Sequence, residues 1–258
     1  MRTVVFTLTR RYGGLDVTFS RLRYQGIDWL IGDRLNRQEY AKSGVEFFHA
    51  PKASAGYNEA LRRVREGGYD LMLLLCDYTW IPTGGIQRFQ EMAASYPSSI
   101  LTGLCSHSID PDPSYVVDPK GLWSIFAEPY DGHQPQEIGW KDVRQWEARR
   151  RYKHDGPIYR NVDIEWAELN WAAIPKLVLE DERMVFDEAY DRAFGHENQD
   201  FALRGQALGY DVVMDAGNHA IELPHRSYFP EEWAELEELR RDNHRWHEIR
   251  RANARIAL

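Results

Sequence analysis

Apolar positions along this 258-residue chain follow two periods in turn. Short runs of β-branched and apolar residues at 3–9, 29–31, 45–48 and 69–75 end in Gly, Asp, His or Pro and read as strands. Thr3 to Thr9 has the composition of a central strand, and Tyr69 to Leu75 is the most apolar run of all. Between them, Leu15 to Tyr24 and Tyr57 to Arg65 place apolar residues at helical spacing. The order strand, helix, strand, strand, helix, strand predicts an α/β protein with a Rossmann-like, mostly parallel, doubly wound sheet. A helix over 84–95 and a strand over 99–102 continue the series.

After residue 107 the pattern breaks. Asp110-Pro-Asp-Pro113, Asp118-Pro119 and Gly132 to Pro135 are turn chemistry, and a basic run, Arg149 to Arg151, follows. Periodicity returns late. An acidic turn (Asp187, Glu188, Asp191) precedes His196-Glu197-Asn198-Gln199-Asp200, which opens a helix that buries Phe201, Leu203 and Leu208 and stops at Gly209. A strand over 211–214 leads on to His219 and His225. Residues 230–258 form a charged helix with Trp233, Leu236, Leu239, Trp246 and Ile249 at helical spacing, suited to packing back on the domain or to joining two copies.

In a sheet wound this way, ligands bind beyond the C-terminal strand ends, where loops diverge. The polar residues at those ends are Thr9, Arg10 and Arg11, then Asp33 with Arg34, then Asp77. Gly13-Gly14 fits neither GxGxxG nor GxxxxGK[ST], which removes support for a dinucleotide or P-loop site. On the far helix Glu197 and Asp200 stand three apart, on one face at the positive end, where a carboxylate can stay ionised.

Composition narrows the class. Hydrophobic content of 43% with 13% aromatic is ample for a core, and a net charge of −8 argues against broad binding to nucleic acid. Two cysteines make a disulfide framework improbable and suit a reducing compartment. No run nears the ~18 apolar residues of a membrane span. A soluble cytoplasmic protein is expected.

The sequence of acidic turn, acidic helix start, Gly-Tyr, strand and His resembles the C-terminal half of family-2-like glycosyltransferases of the GT-A fold. Residues 170–175, Asn-Trp-Ala-Ala-Ile-Pro, with Phe186-Asp-Glu188, resemble the segment joining the two halves of those enzymes, which would bring Trp166 and Trp171 near the sugar or leave them as core. The resemblance implies one GT-A-like domain over 1–229, with a nucleotide-sugar half (1–105) and an acceptor half (106–229), and a helical extension over 230–258. It implies a donor nucleoside-diphosphate sugar held by Thr9, Arg10, Arg11, Asp33, Asn58 and Asp77, and transfer to the hydroxyl of a glycan, protein, small molecule or modified nucleic acid. It also implies Mn²⁺ or Mg²⁺ at a strand-end DxD motif. Here that motif reads Cys76-Asp77-Tyr78, so Asp77 and the terminal His225 are the metal ligands it leaves. The family's usual base position is Asn198, which cannot take a proton, so Glu197 or Asp200 takes over if the enzyme inverts; the Glu-Asn helix start also resembles some retaining GT-A enzymes, which leaves the stereochemistry open. Loss of these acids keeps a second expectation open, a non-catalytic nucleotide-sugar or glycan-binding module derived from such an enzyme.

Overall fold

The structure is a computed structural model that describes residues 1–9, 27–34, 36, 45–77, 79–81, 84–107, 158–160, 162, 169–192, 196–222, 241–250 and 252. The expected helix over 15–24, the turns of the central segment, Trp166 and most of 223–258 lie outside the described residues.

The strands are β1 (Thr3–Thr9), β2 (Asp28–Asp33), β3 (Val45–His49), β4 (Leu71–Leu75), β5 (Thr79–Trp80), β6 (Ser99–His107), β7 (Ile158–Arg160), β8 (Trp171–Pro175) and β9 (Asp211–Glu222). The helices are α1 (Ala53–Glu66), α2 (Gly85–Ser95), α3 (Lys176–Leu179) and α4 (Glu197–Ala207), with a 3-10 turn over Glu188–Arg192. Residues 241–250 are helical as well and are called α5 here. Among the described residues the strands form one nine-stranded sheet, β3-β2-β1-β4-β8-β6-β9-β5, with β7 on the flank of β9. The β3-β2-β1-β4 portion is parallel throughout, β8 runs antiparallel to both its neighbours, and β6 and β9 are parallel again. Most of the paired residues are therefore in parallel register, as the sequence predicts. No helix among the described residues is long and apolar enough to cross a membrane.

Both faces of the sheet are covered, which explains why its central strands are apolar at every position rather than at alternate ones. Val4, Phe6, Met72, Leu74 and Ile174 point to one face, where α1, α3 and α4 pack, and Val5, Leu71, Leu73, Leu75 and Trp171 point to the other, under α2. Aromatic rings connect the elements of the first face. Phe6 meets Tyr57 edge-on at 5.5 Å, Tyr57 stacks on Phe186 at 4.4 Å, and Phe186 stacks on Phe201 at 4.3 Å. Offset rings at such spacings add about 0.5–1.5 kcal/mol per pair beyond the area they bury.

Helices α1 and α4 end alike. Beyond α4, Gly209 takes φ 90°, its N–H bonds Gln206 and the N–H of Tyr210 bonds Gly205. Beyond α1, Gly68 takes φ 65° and the N–H of Tyr69 bonds Val64. Both are Schellman stops, and a glycine fits the left-handed position without a Cβ penalty.

Strand β9 runs eight residues past the predicted end at Met214. Asp215, Gly217 and Asn218 look like turn residues, but each is hydrogen-bonded where it stands, Gly217 through its N–H to the Asp215 carboxylate. Register jumps between Gly103 and Leu104 of β6, which pair with Asp215 and His219, so residues 216–218 bulge out. Buried Asp215 takes a bidentate pair from Arg88 of α2 at 2.7 and 2.8 Å. Asn218 accepts from the Trp171 indole at 3.1 Å and donates to the Gly85 carbonyl at 2.9 Å. Trp171 is fully buried against Phe89, so of its two expected places it takes the core.

The bulge leaves no room at Gly103. A Cβ there would stand 2.3 Å from the Asn218 carbonyl oxygen and 2.3 Å from Trp171 Cδ1. Gly103→Ala should lower stability in urea unfolding by about 1–3 kcal/mol or more through overpacking; an unchanged midpoint would mean that β6 and β9 are further apart.

Candidate functional site

Parallel pairing brings the ends of β1, β2 and β4 side by side. Thr9 lies opposite Asp33, and Asp33 lies opposite His49. Thr9, Asp33 and Asp77 are all buried, at 1%, 0% and 3% exposure. A buried carboxylate is costly unless it is bonded, and Asp77 is. Thr9 Oγ1 donates to its Oδ2 at 2.9 Å, and the Cys76 thiol lies 3.6 Å from its Oδ1. The Cys76 N–H bonds the Asn170 carbonyl at 2.9 Å, which fixes the end of β4 to the start of β8. At the end of β2 the Asp33 carbonyl accepts from the N–H of Ala50 at 3.0 Å, and the Arg34 N–H donates to Thr9 O at 2.8 Å. Three of the residues expected at a donor site thus converge. Arg10 and Arg11 lie outside the described residues.

Asn58 has a different setting. Its amide accepts from the Phe186 N–H at 2.8 Å and donates to the Phe186 carbonyl at 3.0 Å and to Glu188 at 3.1 Å. It clamps α1 to the acidic turn, 128 residues on in the chain. The same turn supplies the cap that α1 lacks in its own sequence. Lys52 offers no side-chain cap, whereas Asp191 accepts from the N–H groups of Ser54 and Ala55 at 2.6 and 3.1 Å. A carboxylate there meets the unpaired amides and positive end of the helix.

The candidate metal ligands were Asp77 and His225. His225 lies outside the described residues, and among the described residues no group of three or more His, Cys, Asp and Glu could hold an ion. Of the two candidate ligands only Asp77 is described, so an ion bound through it would need further oxygens, such as those of a bound diphosphate.

On the other side of the acidic turn, Glu197 and Asp200 open α4 as expected but differ in exposure. Glu197 is half-buried, while Asp200 is 1% exposed. Both lie near Tyr190, whose phenol is pushed up by burial and then by the charges of Asp200 and Glu197. Burial pushes the Asp200 carboxyl up to about 6, against the opposing pull of the Arg204 charge and the Tyr190 hydroxyl. Asp200 is sealed from solvent by its neighbours.

One of those neighbours lies on α5, which packs back on the domain. Arg250 pairs with Asp187, and its Nε is 3.1 Å from Asp200 Oδ1. Asn243, buried, donates to the Tyr190 carbonyl at 3.1 Å. His196, which precedes α4 in the left-handed region at φ 68°, stacks on buried His247 at 4.9 Å and meets His244 Nδ1 through Nε2 at 3.2 Å. Sequence reasoning noted the acidic turn but missed the roles of Asp191 and Arg250, because their partners are far away in the chain.

No protein-family model matches the chain, and no curated protein matches it in sequence. Solved structures do. A structure of GalNAc-T7 with UDP, GalNAc and Mn²⁺ is similar over 88% of this chain and 44% of that one, at TM-score 0.56 and 11% identity. S. aureus TarS 1–349 in complex with UDP-GlcNAc is similar over 92% of this chain and 64% of that one, at TM-score 0.53 and 12% identity. Without the ligand the same TarS fragment gives TM-score 0.52, 11% identity and coverage of 92% and 63%. The chain thus spans less than two thirds of each, and its fold is GT-A-like.

The raised Asp200 carboxyl gives a signed prediction. Its value in the fold lies above its unfolded one, so its contribution to stability is full below about pH 4 and is lost as pH rises through about 6. Asp200→Asn should remove that component, flattening the urea midpoint between pH 4 and 7 relative to the parent protein. Parallel pH profiles for the two proteins would show that Asp200 titrates normally.

Proposed function

We propose that this chain is a glycosyltransferase that moves a sugar from a nucleoside-diphosphate sugar to an acceptor hydroxyl. The observation that carries this reading is the buried Thr9–Asp77 pair beside Asp33 at the strand ends of a GT-A-like sheet, with an acidic helix start across the Asp191 joint. Two of the solved structures similar in fold hold UDP or UDP-GlcNAc, which supports a uridine-based donor.

In this reading Thr9 and Asp33 shape the nucleoside pocket, and the charge of Arg10 and Arg11, which lie outside the described residues, is assigned to the diphosphate. Asn58 contributes by holding α1 in place. Asp77 and His225 would hold Mn²⁺ or Mg²⁺, which when bound neutralises charge on the leaving diphosphate. The acceptor oxygen attacks the anomeric carbon, the bond from that carbon to the diphosphate oxygen breaks, and the acceptor proton passes to a carboxylate. Glu197 is that base. It is the acid of the pair with access to solvent, and its place at the first turn of α4 favours the ionised form.

One observation favours a second reading. The strand-end motif reads Cys76-Asp77-Tyr78, so neither flanking position carries the second acid of a DxD motif. A nucleotide-sugar binder without turnover would not need that second acid. Release of UDP from UDP-sugar above background separates the two, since a binder shows none.

A panel of UDP-sugars, with and without Mn²⁺, should include one that raises the melting temperature, because a ligand bound only to the fold stabilises it. With that donor, Glu197→Gln should keep the thermal shift while transfer falls by ~10²–10⁴. Transfer at the parent rate would remove Glu197 as the base.

A further inference from the structure

The C-terminal helix α5 adds a residue to the acceptor side. Resting on the transferase reading above, we propose that Arg250 is a positioning residue that keeps Asp200 an anion beneath Glu197 and so steadies the helix turn that carries the base. The guanidinium bridges two acids from separate elements, Asp187 of the acidic turn and Asp200 of α4. Asp200 is 1% exposed, so with α5 in place its charge is compensated by protein groups rather than by water. The residues around the pair are fixed from each element. Tyr190 of the 3-10 turn faces both acids of α4 and is held through its carbonyl by Asn243 of α5. Arg204 brings the other nearby positive charge, from α4 itself. His247 stacks on His196, the residue just before Glu197, so α5 touches the base's own turn.

The physical consequence is direct. Burial alone favours a neutral Asp200, and a cation 3.1 Å away opposes that. Charge on Asp200 in turn keeps the proton on the neighbouring Tyr190 phenol. Arg250 also links the halves of the site, since its partner Asp187 lies in the segment whose Asp191 caps α1.

The test compares the parent with Arg250→Gln, Arg250→Lys, Asp200→Asn and the Gln/Asn double variant. Two readouts are taken: urea unfolding against pH, and UDP release from UDP-GlcNAc or whichever UDP-sugar gives the thermal shift. Arg250→Gln should raise the Asp200-linked titration by about one pH unit or more. It should also lower kcat about tenfold with the donor KM unchanged, and shift the acidic limb of the rate profile upward. Arg250→Lys should recover most of the rate. In the Asp200→Asn background, Arg250→Gln should leave kcat and the pH dependence of unfolding unchanged, the lost Asp187 pair adding only a loss of stability that does not vary across that pH range. An unmoved titration, or equal rate losses in both backgrounds, overturns the proposal, because a merely structural arginine acts without regard to the charge of Asp200. Absence of UDP release from the parent with every donor is the failure of the transferase reading and takes the catalytic role of Arg250 with it. The two failures are told apart because the titration would still move.

Discussion

The structure depends on one joint, where the acidic turn at 186–191 meets the start of α1. Three interactions of different kinds coincide there: the Asp191 carboxylate on the open amides of α1, the Asn58 amide on the Phe186 backbone, and the Tyr57–Phe186–Phe201 stack. Each would be modest alone. Together they fix α4, which carries Glu197 and Asp200, relative to the strand ends that carry Thr9, Asp33 and Asp77. A site built from residues almost 190 positions apart needs such a fixture, since loops by themselves leave too much freedom.

The same economy of parts explains the mixed sheet. Its first four strands are parallel, with β1, β2 and β4 burying apolar residues on both faces, and β8 enters antiparallel with Trp171 and its small neighbours Ala172 and Ala173 buried. The bulge at 216–218 then lets β9 continue past Asp215, with Arg88, Trp171 and Gly85 meeting the polar groups that the bulge buries. Buried polar groups are tolerated because each is bonded.

How much of this the chain shows on its face follows from the range of each interaction. Strands β1 to β4 and helices α1, α2 and α4 are legible, because apolar period and Gly stops are local signals. Thr9, Asp33 and Asp77 could be picked out because the winding rule sends strand ends to one edge. The length of β9 could not, because Asp215, Gly217 and Asn218 resemble a turn until their partners on α2 and β8 are known. Nor could the setting of Asn58, whose polar group serves the joint, or the depth of Asp200, which α5 and Tyr190 enclose. Spacing of three placed Glu197 and Asp200 on one face of a helix but could not say what lies over that face.

The central claim is that a nucleotide sugar binds at the ends of β1, β2 and β4, next to the joint. Amide hydrogen exchange with and without a saturating UDP-sugar tests it most directly. The account predicts slower exchange at Thr9, Asp33, Arg34, Cys76 and Asp77, with weaker protection reaching Ser54 and Ala55 at the start of α1. Protection confined to the opposite end of the sheet, where Arg2, Asp28 and Gln90 line a cavity of about 370 Å³, would contradict it, as would no protection at all.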